Sequence, residues 1–260
     1  MRFDMSRTLC ISLSLLAGLA GLAPACARPP TASPAPAAPA APTAPPPVAA
    51  APAAPAAAPA APVALDLPTV EPTAQERLGT TPPGKGLAIG TRAPDASLLD
   101  ITGVTVKLSE VYATGPTFLV FYRGGWCPFC NAQLHGLGEA RAEFERRGVK
   151  LVAISVDVPG ESARTQAKLG VPFPMLSDPK LTAQGAFKIV HQTSPQERAK
   201  LASYGVDLGA RSGESHGNFA TPAIFYVDRA GIIQFVHVDE DYKTRPSVAQ
   251  MLAIADRLAR

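Results

Sequence analysis

Cysteine is scarce in this chain. Of 260 residues only four are cysteines. Cys10 and Cys26 lie in the first 27 residues, so Cys127 and Cys130 are all that remain for the rest. Two cysteines three apart cannot build the multi-bridge framework of a small secreted domain. A structural zinc site normally needs a second ligand pair. The four histidines, His135, His191, His216 and His237, show no metal-ligand spacing among themselves, so no metal is expected. Asn131 follows Cys130, which removes the C-x-x-C-H haem attachment pattern, and no cofactor is expected either. Charge is also thin. The net charge is +3 and the basic residues are scattered, with no Lys/Arg block to line a groove, so nucleic acid is not an expected partner.

Residues 1–27 read as an export signal. Arg2 and Arg7 supply a positive start diluted by Asp4, and Leu9 to Leu22 is an apolar run too short to span a membrane. Two processing routes fit the stretch Leu22-Ala23-Pro24-Ala25-Cys26-Ala27. Small residues at 23 and 25, or at 25 and 27, suit ordinary signal cleavage. Alternatively Cys26 becomes the lipidated first residue of a bacterial lipoprotein, a pattern this stretch resembles except that Ala23 stands where Leu is usual. Either route places the protein outside the cytoplasm, in the cell envelope or periplasm, and lipidation at Cys26 adds a membrane tether. Residues 28 to about 65 are nearly all Ala and Pro, a composition that buries no core and favours an extended chain. With a polar transition after them, residues 28–85 are expected to form a disordered linker, and residues 86–260 the one folded domain.

Within that domain strand-like and helix-like runs alternate. Strands are expected at Val104 to Leu108, Thr117 to Tyr122, Lys150 to Val156, Pro174 to Leu176, Ala223 to Val227 and Ile232 to Val238. Asp228-Arg229-Ala230-Gly231 reads as a hairpin turn between the last two. Helices are expected over 131–147, 161–169 and 181–187. Ser194-Pro195-Gln196-Glu197 forms a capping box opening another, which runs to about Tyr204. Pro246 opens a last helix, with Val248, Met251, Leu252, Ala255 and Leu258 on one face. Residues 205–219 read as a Gly- and Ser-rich loop. This order implies an α/β fold, a central sheet flanked by helices.

The dithiol Cys127–Cys130 sits where the strand 117–122 hands over to the helix 131–147. Two intervening residues let the thiols close a disulfide within one helical turn. Unpaired N–H groups and the positive dipole end at a helix start favour a thiolate, so the first cysteine, Cys127, is expected to have a lowered pKa. Arg123 is near enough in sequence to add to that effect. Pro128 suits the first helical turn, where its missing N–H has no partner to lose. Trp126 either shields the site or packs at the rim of the core. Thr221-Pro222 precedes a strand, as an ordinary strand-start proline or as a cis-proline beside a site.

The block FLVFYRGGWCPFCNAQL resembles the alkyl hydroperoxide reductase/thiol-specific antioxidant family, in its peroxiredoxin-like branch of the thioredoxin-like superfamily. The resemblance spans roughly residues 88 to 255. It takes in GTRAPDASLLDITGVTVKLSE, VAISVDVP, FPMLSDP and TPAIFYVDRAGIIQFVHVDEDYKTRP. It implies a thioredoxin-like fold with peroxiredoxin-type additions, and it puts Pro222 at the superfamily's cis-proline. In the family motif P-x-x-x-T-x-x-C the last cysteine attacks peroxide. Here Cys130 takes that place, Cys127 takes the place of the Thr, and Arg123 that of the Pro. The family's later-strand Arg is not evident near Pro222, with Arg245 or Arg211 as substitutes.

Three functions follow. A thiol peroxidase would use Cys130 as the peroxidatic and Cys127 as the resolving thiol, with an external thioredoxin-like dithiol restoring both. A thiol–disulfide oxidoreductase would use Cys127 to attack a protein disulfide, Cys130 to resolve it, and Pro222 to orient the client. A non-catalytic anchored binding domain would keep Cys127 and Cys130 as a merely structural disulfide.

Overall fold

The computed structural model describes residues 65–258. The expected export signal of residues 1–27, Cys26 and the Ala/Pro run up to residue 64 lie outside the described residues. The eleven strands described are β1 (Glu71–Pro72), β2 (Ser97–Leu99), β3 (Thr105–Lys107), β4 (Thr117–Phe121), β5 (Lys150–Ser155), β6 (Met175–Ser177), β7 (Val190–His191), β8 (Phe219–Ala220), β9 (Ala223–Val227), β10 (Ile233–Val238) and β11 (Thr244–Arg245). The helices are α1 (Leu108–Ala113), α2 (Pro128–Glu139), α3 (Arg141–Arg146), α4 (Pro159–Leu169), α5 (Thr182–Ala186), α6 (Pro195–Ser203), α7 (Leu208–Ser212) and α8 (Val248–Leu258). Seven strands form one mixed sheet in the order β10-β9-β4-β5-β6-β2-β3. β4, β5 and β6 run parallel, while β9 is antiparallel to β4 and β10 to β9. Among the described residues no helix is long and apolar enough to cross a membrane.

β4 is the strand from which the dithiol hangs, and every one of its residues is buried. Side chains alternate across a strand. Phe118 and Val120, with Tyr122 beyond the strand end, join the cluster holding Leu134 and Leu137 of α2, Phe144 of α3 and Met251 and Ile254 of α8. Leu119 and Phe121 face the other way, into a cluster with Leu108, Tyr112, Ala183 and Phe187. Burying each such side chain is worth about 1.5–3 kcal/mol, so β4 is anchored on both faces.

The structure corrects several expectations. The folded part begins at least twenty residues before Gly86. Leu65, Leu67 and Leu78 pack on the core, and β1 pairs in parallel with β11. The apolar residues here are too sparse to show a period, and their partner strand lies far away in sequence. The helix expected over 131–147 is two helices divided at Ala140, whose φ of −88° and ψ of 3° leave the helix after Gly136 and Gly138, both poor helix formers. Residues 105–107 are strand, but Leu108 already belongs to α1. The expected loop 205–219 contains α7, capped by Asp207 accepting from the Ala210 N–H, and ends on Phe219, the first residue of β8.

Candidate active site

The chain leaves β4 at Phe121 and reaches α2 through Tyr122, Arg123, Gly124, Gly125, Trp126 and Cys127. Cys127 is the N-cap of α2, extended at φ −91° and ψ 111°, with Pro128 at the first helical position. The turn requires both glycines. Gly124 has φ +154°, and a Cβ there would strike the Trp126 indole; a Cβ on Gly125 would strike Thr165 Oγ1. Buried Asp157, just past β5, holds the turn by accepting from the Gly125 N–H at 2.6 Å, and Asn131 donates to the Gly125 carbonyl at 2.9 Å. Burial pushes the Asp157 carboxyl up to about 6, against the lowering effect of the Gly125 hydrogen bond.

Both sulfurs are free thiols inside the core, Cys127 1% and Cys130 0% exposed. Their acidities split in the direction opposite to the helix-start expectation. The Cys127 thiol is pushed up, first because it donates its hydrogen bond to Cys130 and then by burial. For Cys130 burial acts upward, but it is outweighed by the hydrogen bond from Cys127, the charge of Arg245, the backbone hydrogen bond from Arg123 and the Arg123 charge, so its thiol is lowered. An N-capping thiol gains from the dipole. Here the protein's donors and cations converge on the second sulfur instead, and the first serves as one of the donors.

Arg245 is the cation that the sequence left uncertain. It is 3% exposed, and Nη2 donates to Cys130 Sγ at 3.6 Å. Nη1 donates to the carbonyl of Thr244 at 2.7 Å and to that of Asp241 at 3.5 Å. Arg211, the other candidate, pairs with Glu161 at the start of α4.

Arg123 lies beside the dithiol in a cage of rings. Its guanidinium carbon is 4.8 Å from the centre of Trp126, 4.6 Å from Phe219 and 4.4 Å from Tyr242, all within cation–π reach. Glu197 Oε1 stands 3.6 Å from Arg123, and Oε2 is 2.7 Å from His191 Nε2. The expected capping box is thus half used. Ser194 accepts from the Glu197 N–H, while the Glu197 carboxylate serves Arg123 and His191. Trp126 is half-buried and packs edge-to-face on Phe219 at 5.2 Å, so it both caps Arg123 and packs at the rim. Sequence reasoning missed Phe219, Tyr242, Glu197 and His191, because no local pattern ties them to a motif far upstream.

Thr221 and Pro222 line a cleft of about 310 Å³ with Arg123, His191, Glu197 and Tyr242. Lys85 Nζ donates to Thr221 Oγ1 at 3.1 Å. A separate cavity of about 580 Å³ is lined by Val106, Val111, Phe144, Phe173 and their neighbours and by none of the site residues. Among the described residues no group of three or more His, Cys, Asp or Glu is arranged to hold a metal ion.

A mixed sheet flanked by helices, with a dithiol where its central strand enters a helix, defines a thioredoxin-like thiol protein. Residues 89–236, more than half of the chain, match the profile of the AhpC/TSA family. The chain belongs to that family. It is 30% identical over 104 residues to the thiol-disulfide oxidoreductase ResA of Geobacillus kaustophilus, a stretch covering 40% of this chain and 59% of that one. It is 34% identical over 104 residues to a putative peroxiredoxin of Mycobacterium tuberculosis, covering 39% of this chain and 66% of that one. The chain thus spans about three fifths to two thirds of the length of these relatives. The crystal structure of reduced Prx3 in complex with hydrogen peroxide from Vibrio vulnificus superposes with a TM-score of 0.54 at 17% identity, covering 65% of this chain and 99% of that one, a likeness of fold.

Proposed function

We propose that the protein is a thiol peroxidase in which Cys130 attacks the peroxide and Cys127 resolves the product. The observation that carries this is the convergence on Cys130 of the Arg245 guanidinium, at 3.6 Å, and the Cys127 thiol. Cys127 stands where the family motif has Thr, and it supplies a hydrogen-bond donor from that place. The Cys130 thiolate attacks one oxygen of the peroxide. The S–O bond forms, the O–O bond breaks, and the leaving hydroxide or alkoxide takes a proton to depart as water or alcohol. Cys127 then attacks the sulfenic sulfur; the S–S bond forms and water leaves. An external thioredoxin-like dithiol reduces the disulfide to two thiols and is itself oxidised. Arg245 stabilises the thiolate, and Arg123 adds positive charge beside it.

Burial favours a small oxidant. With 1% and 0% exposure, neither sulfur meets another protein's sulfur, whether a client disulfide or the recycling dithiol, until the helix start opens, whereas the first step of the peroxidase admits only a peroxide. A thiol–disulfide oxidoreductase is supported by the likeness to ResA and by the cleft along Thr221 and Pro222, where an extended client could lie. Comparison of Cys127→Ser with Cys130→Ser decides between them. The peroxidase loses single-turnover peroxide consumption only in Cys130→Ser. A mixed disulfide trapped on Cys127 in Cys130→Ser, with negligible peroxide consumption by the parent, would select the oxidoreductase.

We further propose that the protein works outside the cytoplasm, exported by residues 1–27 and tethered to a membrane through lipidated Cys26. Intact mass of the mature protein from membranes tests this: a diacylglyceryl adduct on Cys26 supports it, and an unmodified chain cut after Ala25 or Ala27 contradicts the tether.

A further inference from the structure

We propose that Arg77 is a positioning residue that, through its ion pair with Asp239, holds Arg245 against the Cys130 sulfur. This rests on the assignment of Cys130 as the reacting sulfur. Arg245 cannot reach the dithiol from a secure element of its own. β11 is only two residues long and belongs to none of the strands of the main sheet. It is held in place by the segment 71–77. Glu71 and Pro72 pair with Thr244 and Arg245, and the Thr73 N–H donates to the Arg245 carbonyl at 2.8 Å. The Thr73 carbonyl in turn accepts from Gln250 of α8 at 2.7 Å.

Asp239 links that segment to the loop before β11. It is 5% exposed as a residue, and its carboxylate accepts from the Asp241 N–H and the Thr244 hydroxyl, each at 2.9 Å, and from Arg77 Nη2 at 2.5 Å. The Asp239 N–H donates to the Pro222 carbonyl at 3.2 Å. One carboxylate therefore organises residues 239–244, whose carbonyls at 241 and 244 grip the Arg245 guanidinium. Arg77 itself is 49% exposed, and an ordinary surface ion pair at that exposure contributes little. This one differs because its acidic partner is buried and already committed to the loop. Without Arg77 the carboxylate keeps a buried charge with no cation of its own, which pulls the loop toward water. Among the described residues Arg245 Nε has no hydrogen-bond partner, so the polar restraints on this guanidinium are the carbonyls at 241 and 244 and the sulfur. His237 lies against the same group, with Nε2 3.5 Å from Thr73 Oγ1, and burial pushes its pKa down, so it brings no charge there at neutral pH.

The test titrates Cys130 alone. The full chain with Cys10→Ser, Cys26→Ser and Cys127→Ser keeps a hydroxyl donor at 127 and leaves one thiol, read by its ultraviolet thiolate absorbance against pH. The groups that face the sulfur are then the serine hydroxyl, Arg245, Arg123 and Tyr122. Arg77→Ala is expected to raise the Cys130 pKa by about half a unit to one unit, a loosened opposite charge rather than a deleted one. Arg77→Lys restores most of the shift, and Arg141→Ala, which removes an exposed pair with Glu145, leaves the titration unchanged. The deciding measurement is the cycle with Arg245→Gln. In that background Arg77→Ala is expected to have no further effect. A parent-like titration of Arg77→Ala, or the same shift persisting with Arg245→Gln, overturns the proposal, the latter because Arg77 would then act through its own field. Arg77→Gln reports the same quantity if Arg77→Ala does not fold. The titration uses no peroxide, so failure of the parent to consume peroxide sinks the peroxidase and leaves this result standing.

Discussion

Arg245 Nη2 stands 3.6 Å from the sulfur of Cys130, although 115 residues separate them in the chain. An opposite charge at that range favours the thiolate by about 1–3 pKa units. Arg245→Gln is therefore expected to raise the Cys130 pKa by that amount and to slow peroxide consumption at neutral pH by at least tenfold. Stopped-flow peroxide consumption checks it; a parental rate would separate Arg245 from the chemistry.

The direction of the Cys130 shift sets a pH window. Its folded pKa lies below that of a free thiol, about 8.5. The thiolate then contributes stability that is fully present above the unfolded pKa and is lost as pH falls through the folded value. The peroxide rate should follow the same limb, holding at neutral pH and falling on acidification. The rate profile of the reduced protein reads this, and a midpoint at or above the free-thiol value would contradict it.

Asp157 carries the opposite sign. Burial raises its carboxyl from 3.8 to about 6, so its contribution to stability is whole below the unfolded value and is lost as pH rises through about 6. Asp157→Asn keeps an acceptor for the Gly125 N–H without the charge. Relative to the parent, its stability is expected to gain on the order of 2–3 kcal/mol between about pH 3 and pH 8. Denaturant unfolding at both ends measures this; a difference independent of pH would place the ionised carboxylate in a better-solvated setting than the structure shows.

Gly125 is fixed by the hydroxyl of Thr165, which occupies the space a Cβ would need. Gly125→Ala is expected to cost about 1–3 kcal/mol. Thr165→Ala in the same chain removes the clashing oxygen and should return part of that loss. Thermal unfolding of the single and double variants checks the pair, and strictly additive losses would mean the two sites do not touch.

Much of this was legible locally. The apolar run 117–122, the glycine pair, the C-x-x-C and Pro128 all lie in one stretch, and each local preference agrees with the strand-turn-helix they form. The acidity order was not legible. A helix start favours Cys127, but Arg245 and the Arg123 backbone act on Cys130, and Arg245 arrives on a two-residue strand that no periodicity can announce. Its partner β1 was hidden for the same reason, within residues that read as linker. The aromatic cage was equally silent, since Phe219 and Tyr242 are brought to Arg123 by the sheet order and not by spacing.

Trp126 is the chain's single tryptophan and immediately precedes Cys127. Closing the Cys127–Cys130 disulfide moves the N-cap on which its backbone depends, so peroxide is expected to change its emission. That change should be absent in Cys130→Ser. An unaltered emission in the parent on verified oxidation would mean that the Arg123 cage is insulated from the dithiol.

The central claim is that Cys130, and not Cys127, meets the peroxide. The most direct measurement treats reduced Cys127→Ser with one equivalent of hydrogen peroxide in the presence of a carbon nucleophile specific for sulfenic acid, then locates the adduct by peptide mass. The expected result is an adduct on Cys130, with none on Cys127 in the matching Cys130→Ser experiment. An adduct on Cys127 in Cys130→Ser, with Cys130 unmodified in Cys127→Ser, would contradict it.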